Sequence, residues 1–163
     1  MIRLLLILLI TLGLKTGAQG QSIQWTAFEH LGDSLRTERK PLLVFIQTSW
    51  CKFCKMQEHT TFADKDLTQE LNRKFYLLRL DAESKADILF LGRTYPFNPN
   101  GYHELAEALA KGNGEITFPT TLLFSENLQL LKRYSGYVGP EELKSVLRNY
   151  LRKPGERDNT QHE

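Results

Sequence analysis

Two cysteines, Cys51 and Cys54, are the only ones in the chain, and they stand three positions apart in Trp50-Cys51-Lys52-Phe53-Cys54-Lys55. A pair at that spacing can do three things: cycle between dithiol and disulfide, hold part of a metal site, or form an inert bridge. A structural zinc site takes about four ligands. The chain has no second cysteine pair, and His30, His59, His103 and His162 do not pair at metal-ligand spacing. A bridge closing so short a loop constrains little of the unfolded chain. Redox chemistry is therefore the leading reading. Binding of Cu(I) by two soft sulfurs is the alternative, against which stand only two methionines and no histidine near the pair except His59.

Redox work needs the two sulfurs held unequally, and the flanking sequence supplies that. Pro41-Leu42-Leu43-Val44-Phe45-Ile46 is a short apolar run opened by proline, the pattern of a buried strand. Met56, His59, Thr60 and Phe62 follow at helical spacing. The dithiol thus sits at a strand-to-helix turn with Cys51 at the helix start. Free N–H groups and partial positive charge there favour a thiolate, and Lys52 and Lys55 add to it. Cys51 is expected to be the exposed nucleophile. Cys54, one turn on and facing inward, is the resolving thiol.

The rest of the chain has room for one domain with a real core. Formal net charge is +2 with Lys and Arg scattered, so nothing points to a nucleic-acid partner. Residues 1–20 read as a signal peptide. Arg3 supplies positive charge, Leu4 to Leu14 is almost unbroken Leu and Ile, and small residues follow at Thr16-Gly17-Ala18 and Ala18-Gln19-Gly20. The run is too short for a comfortable membrane span. The expectation is export to the periplasm or another extracytoplasmic space, where disulfides form. Contact with the membrane is then through that segment alone, before cleavage. Residues 153–163 are polar and contain Pro154-Gly155, an expected disordered tail. The domain is expected over 21–152.

Within it, Trp25, Phe28, Leu31 and Leu35 predict a helix over Gln24 to Arg39. Asp64 is placed to cap a helix carrying Leu67 and Leu71. Phe75 to Asp81 reads as a strand parallel to the first. Ile88, Leu89, Leu91 and Tyr95 suggest helix, Pro96 to Gly101 a turn cluster, and Tyr102 to Lys111 helix again, stopped at Gly112-Asn113-Gly114. His103 reads as a surface or capping residue. Phe118 to Phe124 is a strand with Pro119 at its start. Asn127 marks a turn to a hairpin partner over Leu128 to Tyr134. Pro140 with Glu141 and Glu142 opens the last helix.

This order of elements, with Cys-x-x-Cys opening a helix, resembles the thioredoxin fold over nearly all of Ile23 to Leu151. Trp50 to Lys55 and Phe118-Pro119-Thr120 carry the resemblance. Lys40-Pro41, Glu58, Thr61-Phe62, Asp64 and Asp81 fall in the pattern of one branch. That branch is the C-terminal periplasmic domain of the transmembrane thiol:disulfide interchange protein, with the small exported proteins similar to it. The resemblance implies an α/β, three-layer architecture. A central mixed sheet lies between helices, with an extended helical insertion ahead of the cis-proline strand. It implies thiol–disulfide exchange with client proteins and an unidentified redox partner, and no cofactor beyond the dithiol. Cys51, Cys54 and a cis Pro119 would be catalytic. Trp50, Phe53, Phe118 and Thr120 would meet the client. The sequence departs from many thioredoxin-like reductases in two places. Phe45 stands six residues before Cys51, where they carry a buried carboxylate, so Cys54 has no obvious base. Ala82 to Gly114 is longer than thioredoxin's connection and is expected mainly to pack on the sheet, the other reading being a cover for the site rim.

Overall fold

The computed structural model describes residues 22–112 and 114–151. The expected signal peptide over 1–20, Asn113 and the expected tail over 153–163 lie outside them. In chain order the elements are α1 (Phe28–Thr37), β1 (Leu42–Gln47), α2 (Lys52–Thr60), α3 (Lys65–Lys74) and β2 (Tyr76–Asp81). Then follow β3 (Ile88–Phe90), β4 (Arg93–Tyr95), α4 (Glu104–Ala110), β5 (Thr120–Phe124), β6 (Leu130–Ser135) and α5 (Pro140–Leu151).

The central sheet runs β2-β1-β5-β6. β1 lies parallel to β2, with Val44 opposite Leu78, and antiparallel to β5, with Val44 opposite Leu122. β6 returns antiparallel along β5. Successive side chains of a strand face opposite ways, and β1 is buried on both sides. Leu42, Val44 and Ile46 join one core with Leu31 of α1, Phe90 of β3 and Leu105 of α4. Leu43 and Phe45 join the other with both cysteines, Leu67 and Leu71 of α3, and Leu143 and Leu147 of α5. One strand thus feeds two cores and makes the molecule three layers deep. Each such aliphatic or aromatic side chain removes roughly 1.5–3 kcal/mol of exposure cost.

Two expectations are corrected. The first helix begins at Phe28, not Gln24. Trp25 instead forms a parallel bridge with Leu77, and the Thr26 N–H donates to the Leu77 carbonyl at 2.7 Å. The bridge lies beside the β2 edge, and extended backbone there makes hydrogen bonds that a longer helix would forgo. The insertion is not helical over 88–95 but a hairpin, with Ile88 opposite Tyr95 and Phe90 opposite Arg93. Alternation places Phe90 in the core and Leu89 in solvent. Leu91 and Gly92, at φ 50° and 82°, form its two-residue turn. Both positive angles match the hairpin geometry that favours Asn-Gly. A leucine there works against its own Cβ, at roughly 1–2 kcal/mol for a left-handed residue, while its side chain is 43% exposed. Leu91→Asn is therefore expected to raise stability by about 0.5–1 kcal/mol, measured as a higher urea midpoint at unchanged slope.

Asp64 caps α3, its Oδ1 accepting the Leu67 N–H at 2.9 Å. The Lys144 ammonium of α5 donates to Asp64 Oδ2 at 2.8 Å and to Glu141 Oε1 at 3.0 Å. The hydrogen bond from Lys144, then that from Leu67, holds the Asp64 carboxyl below its ordinary value of 3.8. A lowered carboxylate contributes stability above its unfolded-state value and loses it as the pH falls through the folded one. Asp64→Ala is expected to cost about 0.5–2 kcal/mol near neutrality. The gap from the wild type should close in acid below 3.8, which denaturant titrations across that range would show.

Candidate functional site

Cys51 is the N-cap of α2, and the backbone N–H of Cys54 donates to its sulfur at 3.0 Å. The strand-to-helix turn makes this geometry. β1 ends at Gln47, the Thr48 carbonyl accepts the Cys51 N–H at 3.3 Å, and the free Cys54 N–H in the first turn of α2 then faces the sulfur. The two cysteines are joined as a disulfide with Cα atoms 5.3 Å apart. An N–H aimed at Cys51 Sγ is the group that would stabilise a thiolate released there. Cys51 is not openly exposed, contrary to expectation. It is 5% accessible against 0% for Cys54, because its sulfur turns in toward the helix start. Cys54 is the more deeply buried of the two, and both lie in the core that contains Phe45.

That core explains the missing carboxylate. Phe45 is fully buried, with Phe62 edge-on at 5.0 Å between ring centres and Trp25 stacked at 6.1 Å. Trp25 in turn meets Phe62 at 5.5 Å and carries the Arg79 guanidinium over its ring at 5.6 Å. Arg79 pairs with Glu58 at 3.3 Å, both partly exposed. Aromatic packing occupies the place where a base would stand.

A buried amide anchors the dithiol helix. Gln57 is fully buried; its Nε2 donates to Thr121 Oγ1 at 2.8 Å and its Oε1 accepts the Val138 N–H at 3.0 Å. Thr61 Oγ1 donates to the Val138 carbonyl at 2.7 Å. These bonds tie α2 to β5 and to the approach to α5. Sequence reasoning missed Gln57. The single local signal was a polar residue on the inward face of α2, one turn after Cys54.

The Phe118–Pro119 peptide bond is cis. Pro119 is buried, and its carbonyl accepts the Gly136 N–H at 2.7 Å. Phe118 is half-buried and packs against the core that holds the cysteines. Its ring meets Trp50 edge-on at 6.1 Å. Thr120 is fully buried, and its hydroxyl donates to the Thr117 carbonyl at 2.6 Å. Its side chain therefore shapes the loop and does not face a client. Trp50 and Phe53 are 58% and 61% exposed. So the structure gathers Cys51, Cys54, Trp50 and Phe118 into one site, keeps Phe53 on its outer rim, and leaves Thr120 as internal support. His103 is buried, not superficial: it caps α4, its Nδ1 accepting the Leu105 N–H. Among the described residues no group of three or more His, Cys, Asp or Glu is placed to hold a metal ion. No helix of the described residues is long and apolar enough to cross a membrane.

Comparison with known proteins bears on the fold. Residues 30–151 match the model of the thioredoxin-like domain. The thiol:disulfide interchange protein DsbD of Campylobacter jejuni is 24% identical over 116 residues, 71% of this chain and 17% of DsbD. The chain thus spans about a sixth of the length of that curated relative. Among solved structures, the DsbH oxidoreductase superposes with a TM-score of 0.58 at 17% identity, over 86% of this chain and 94% of its own. A putative disulphide-isomerase from Bacteroides thetaiotaomicron gives 0.55 at 25% identity, over 83% and 99%.

Proposed function

This chain belongs to the thioredoxin-like domain family, and on that premise we propose that it is an exported protein thiol–disulfide oxidoreductase working through Cys51 and Cys54. The observation that carries the reading is the unequal dithiol. One sulfur is capped onto a helix start by the Cys54 N–H, and the other is sealed beneath it. In the reduced protein the Cys51 thiolate attacks one sulfur of a client disulfide. That S–S bond breaks, a client thiolate leaves, and a mixed disulfide forms. Cys54 gives up its proton and attacks Cys51 Sγ, releasing the second client thiolate. Two electrons pass to the client, both client thiolates take up protons, and Cys51–Cys54 becomes the disulfide. Run backwards, the same steps oxidise a client dithiol. Direction is set by the dithiol's potential against its surroundings. A separate dithiol protein of the same compartment would restore the reduced form.

Export is supported by Arg3, the Leu4 to Leu14 run and the small residues after it. The mature chain is expected to begin at Gln19 or Gln21, read from the intact mass of the protein outside the cytoplasm. A chain retaining Met1 in the membrane fraction would refute cleavage and release, and make the segment an uncleaved anchor. The exchange itself is tested with the purified mature protein on insulin disulfides and on a scrambled, disulfide-containing protein. Catalysis of either supports the reading. Failure of both, with tight 1:1 binding of Cu(I) by the reduced form, would replace it by metal handling.

A further inference from the structure

The connection between β2 and β5 does more than pack on the sheet. Glu83, just past β2, accepts the indole N–H of Trp50 at its Oε1, 3.1 Å away. Trp50 immediately precedes the attacking cysteine. At the far end of the same connection, half-buried Tyr102 meets the Phe118 ring edge-on at 4.9 Å. Phe118 in turn meets Trp50. Three aromatic rings thus run from the dithiol turn across the Pro119 loop, and both outer supports come from the inserted segment.

His103 fastens those supports to each other. It is fully buried, and its backbone N–H donates to the Ala82 carbonyl at 2.8 Å. Its Nδ1 accepts the Leu105 N–H at 3.1 Å, so the ring proton sits on Nε2, which donates to the Ala86 carbonyl at 3.0 Å. Ala82 and Ala86 flank Glu83, and His103 follows Tyr102. One buried residue, through its backbone N–H to Ala82 and its ring to Ala86, therefore closes the loop that places Glu83 and sets the residue that braces Phe118.

We infer that the segment from Ala82 to His103 is the substrate-positioning wall of the exchange site. Glu83 and Tyr102 act as positioning residues, and His103 holds them in place. The inference rests on the exchange function proposed above and adds a substrate class to it. The favoured client is a polypeptide that lays an apolar or aromatic side chain beside its cysteine, against the exposed ring of Trp50. A free indole 58% exposed would lose rotamer freedom on meeting a client; the bond to Glu83 removes that loss beforehand. Small disulfides reach Cys51 without using the ring and gain nothing from it.

The test compares the mature wild type with Glu83→Ala and Glu83→Gln. Glu83→Ala is expected to raise KM for insulin disulfides about threefold to tenfold, with kcat within about twofold. KM for a small aromatic disulfide should move much less. In proton–nitrogen NMR spectra the Trp50 indole N–H, assigned with Trp50→Phe, should exchange faster with solvent. Glu83→Gln keeps an amide oxygen as acceptor and should restore both KM and slow exchange. An unmoved KM with insulin in Glu83→Ala, while the wild type is active, overturns the wall alone. So does a Gln variant that behaves like Ala. A wild type inactive on both disulfides overturns the exchange function and the wall with it. Tyr102→Ala gives the second arm: it should raise KM for insulin in the same sense, and an unchanged KM there overturns the role of the aromatic brace.

Discussion

Cys54→Ser is expected to convert a protein that turns over into one that stays attached to its clients. Cys51 keeps its N-cap position and its polar environment in this variant, because the Cys54 N–H that reaches its sulfur belongs to the backbone. Attack on a client disulfide therefore proceeds. Release does not, because the only thiol held beside Cys51 Sγ is gone. Two sulfurs already joined in one turn of helix, with Cα atoms 5.3 Å apart, react intramolecularly at a large effective concentration. Losing that advantage should slow release by on the order of a hundredfold or more. Non-reducing gels should show reductant-sensitive bands of protein plus client. Cys51→Ser should show almost none, since Cys54 is sealed at 0% exposure, and its insulin turnover should fall to background. Equal trapping by the two variants would reverse or dissolve the assignment of roles.

Much of this was legible from local pattern. The run Leu42 to Ile46 had to be a doubly buried strand, because no polar residue interrupts it. Proline before it and the helical spacing after it put Cys51 at a helix start. Asp64 read as a cap because it precedes a helix whose apolar face is short and regular, and it caps α3. What failed were segments whose conformation is decided by distant partners. Ile88, Leu89, Leu91 and Tyr95 fit a helix by spacing. Yet Ile88 and Phe90 also alternate with Leu89, and the hairpin wins because Phe90 can then enter the core against Phe28, ring centres 5.8 Å apart. Gly92 was the turn signal, muted by a leucine where asparagine would have announced it. Trp25 shared a spacing with Phe28 and Leu31, but its place is fixed by Leu77 across the sheet. Buried polar residues were least legible. Gln57 finds its partners 64 and 81 residues away, and Glu83 its indole 33 residues back. No local pattern encodes such pairings.

Phe45→Asp would restore a carboxylate six residues before Cys51, and the structure dictates the outcome. Phe45 is fully buried between Phe62 and Trp25, on the strand register that sets Arg79 on one side and Thr121 on the other. Removing the ring costs roughly 3–5 kcal/mol in cavity and lost contact. An aspartate in that aromatic setting adds the cost of an unpaired polar group, about 1–3 kcal/mol. A domain of this kind has about 5–15 kcal/mol in all, so the variant should lose most of its stability, seen as a collapse of the urea midpoint. Phe45→Leu, which keeps the site apolar, should lose distinctly less. A Phe45→Asp variant as stable as Phe45→Leu would mean that a polar partner reaches this position. The same packing governs resolution in the wild type. Cys54 lies in an apolar core with Phe45, Phe62 and Leu67. Release of a mixed disulfide should therefore wait on Cys54 deprotonation and quicken as the pH rises toward the ordinary thiol value of about 8.5. Stopped-flow measurement of that single step against pH decides it. A flat profile near neutrality would show that a group outside this core takes the proton after all.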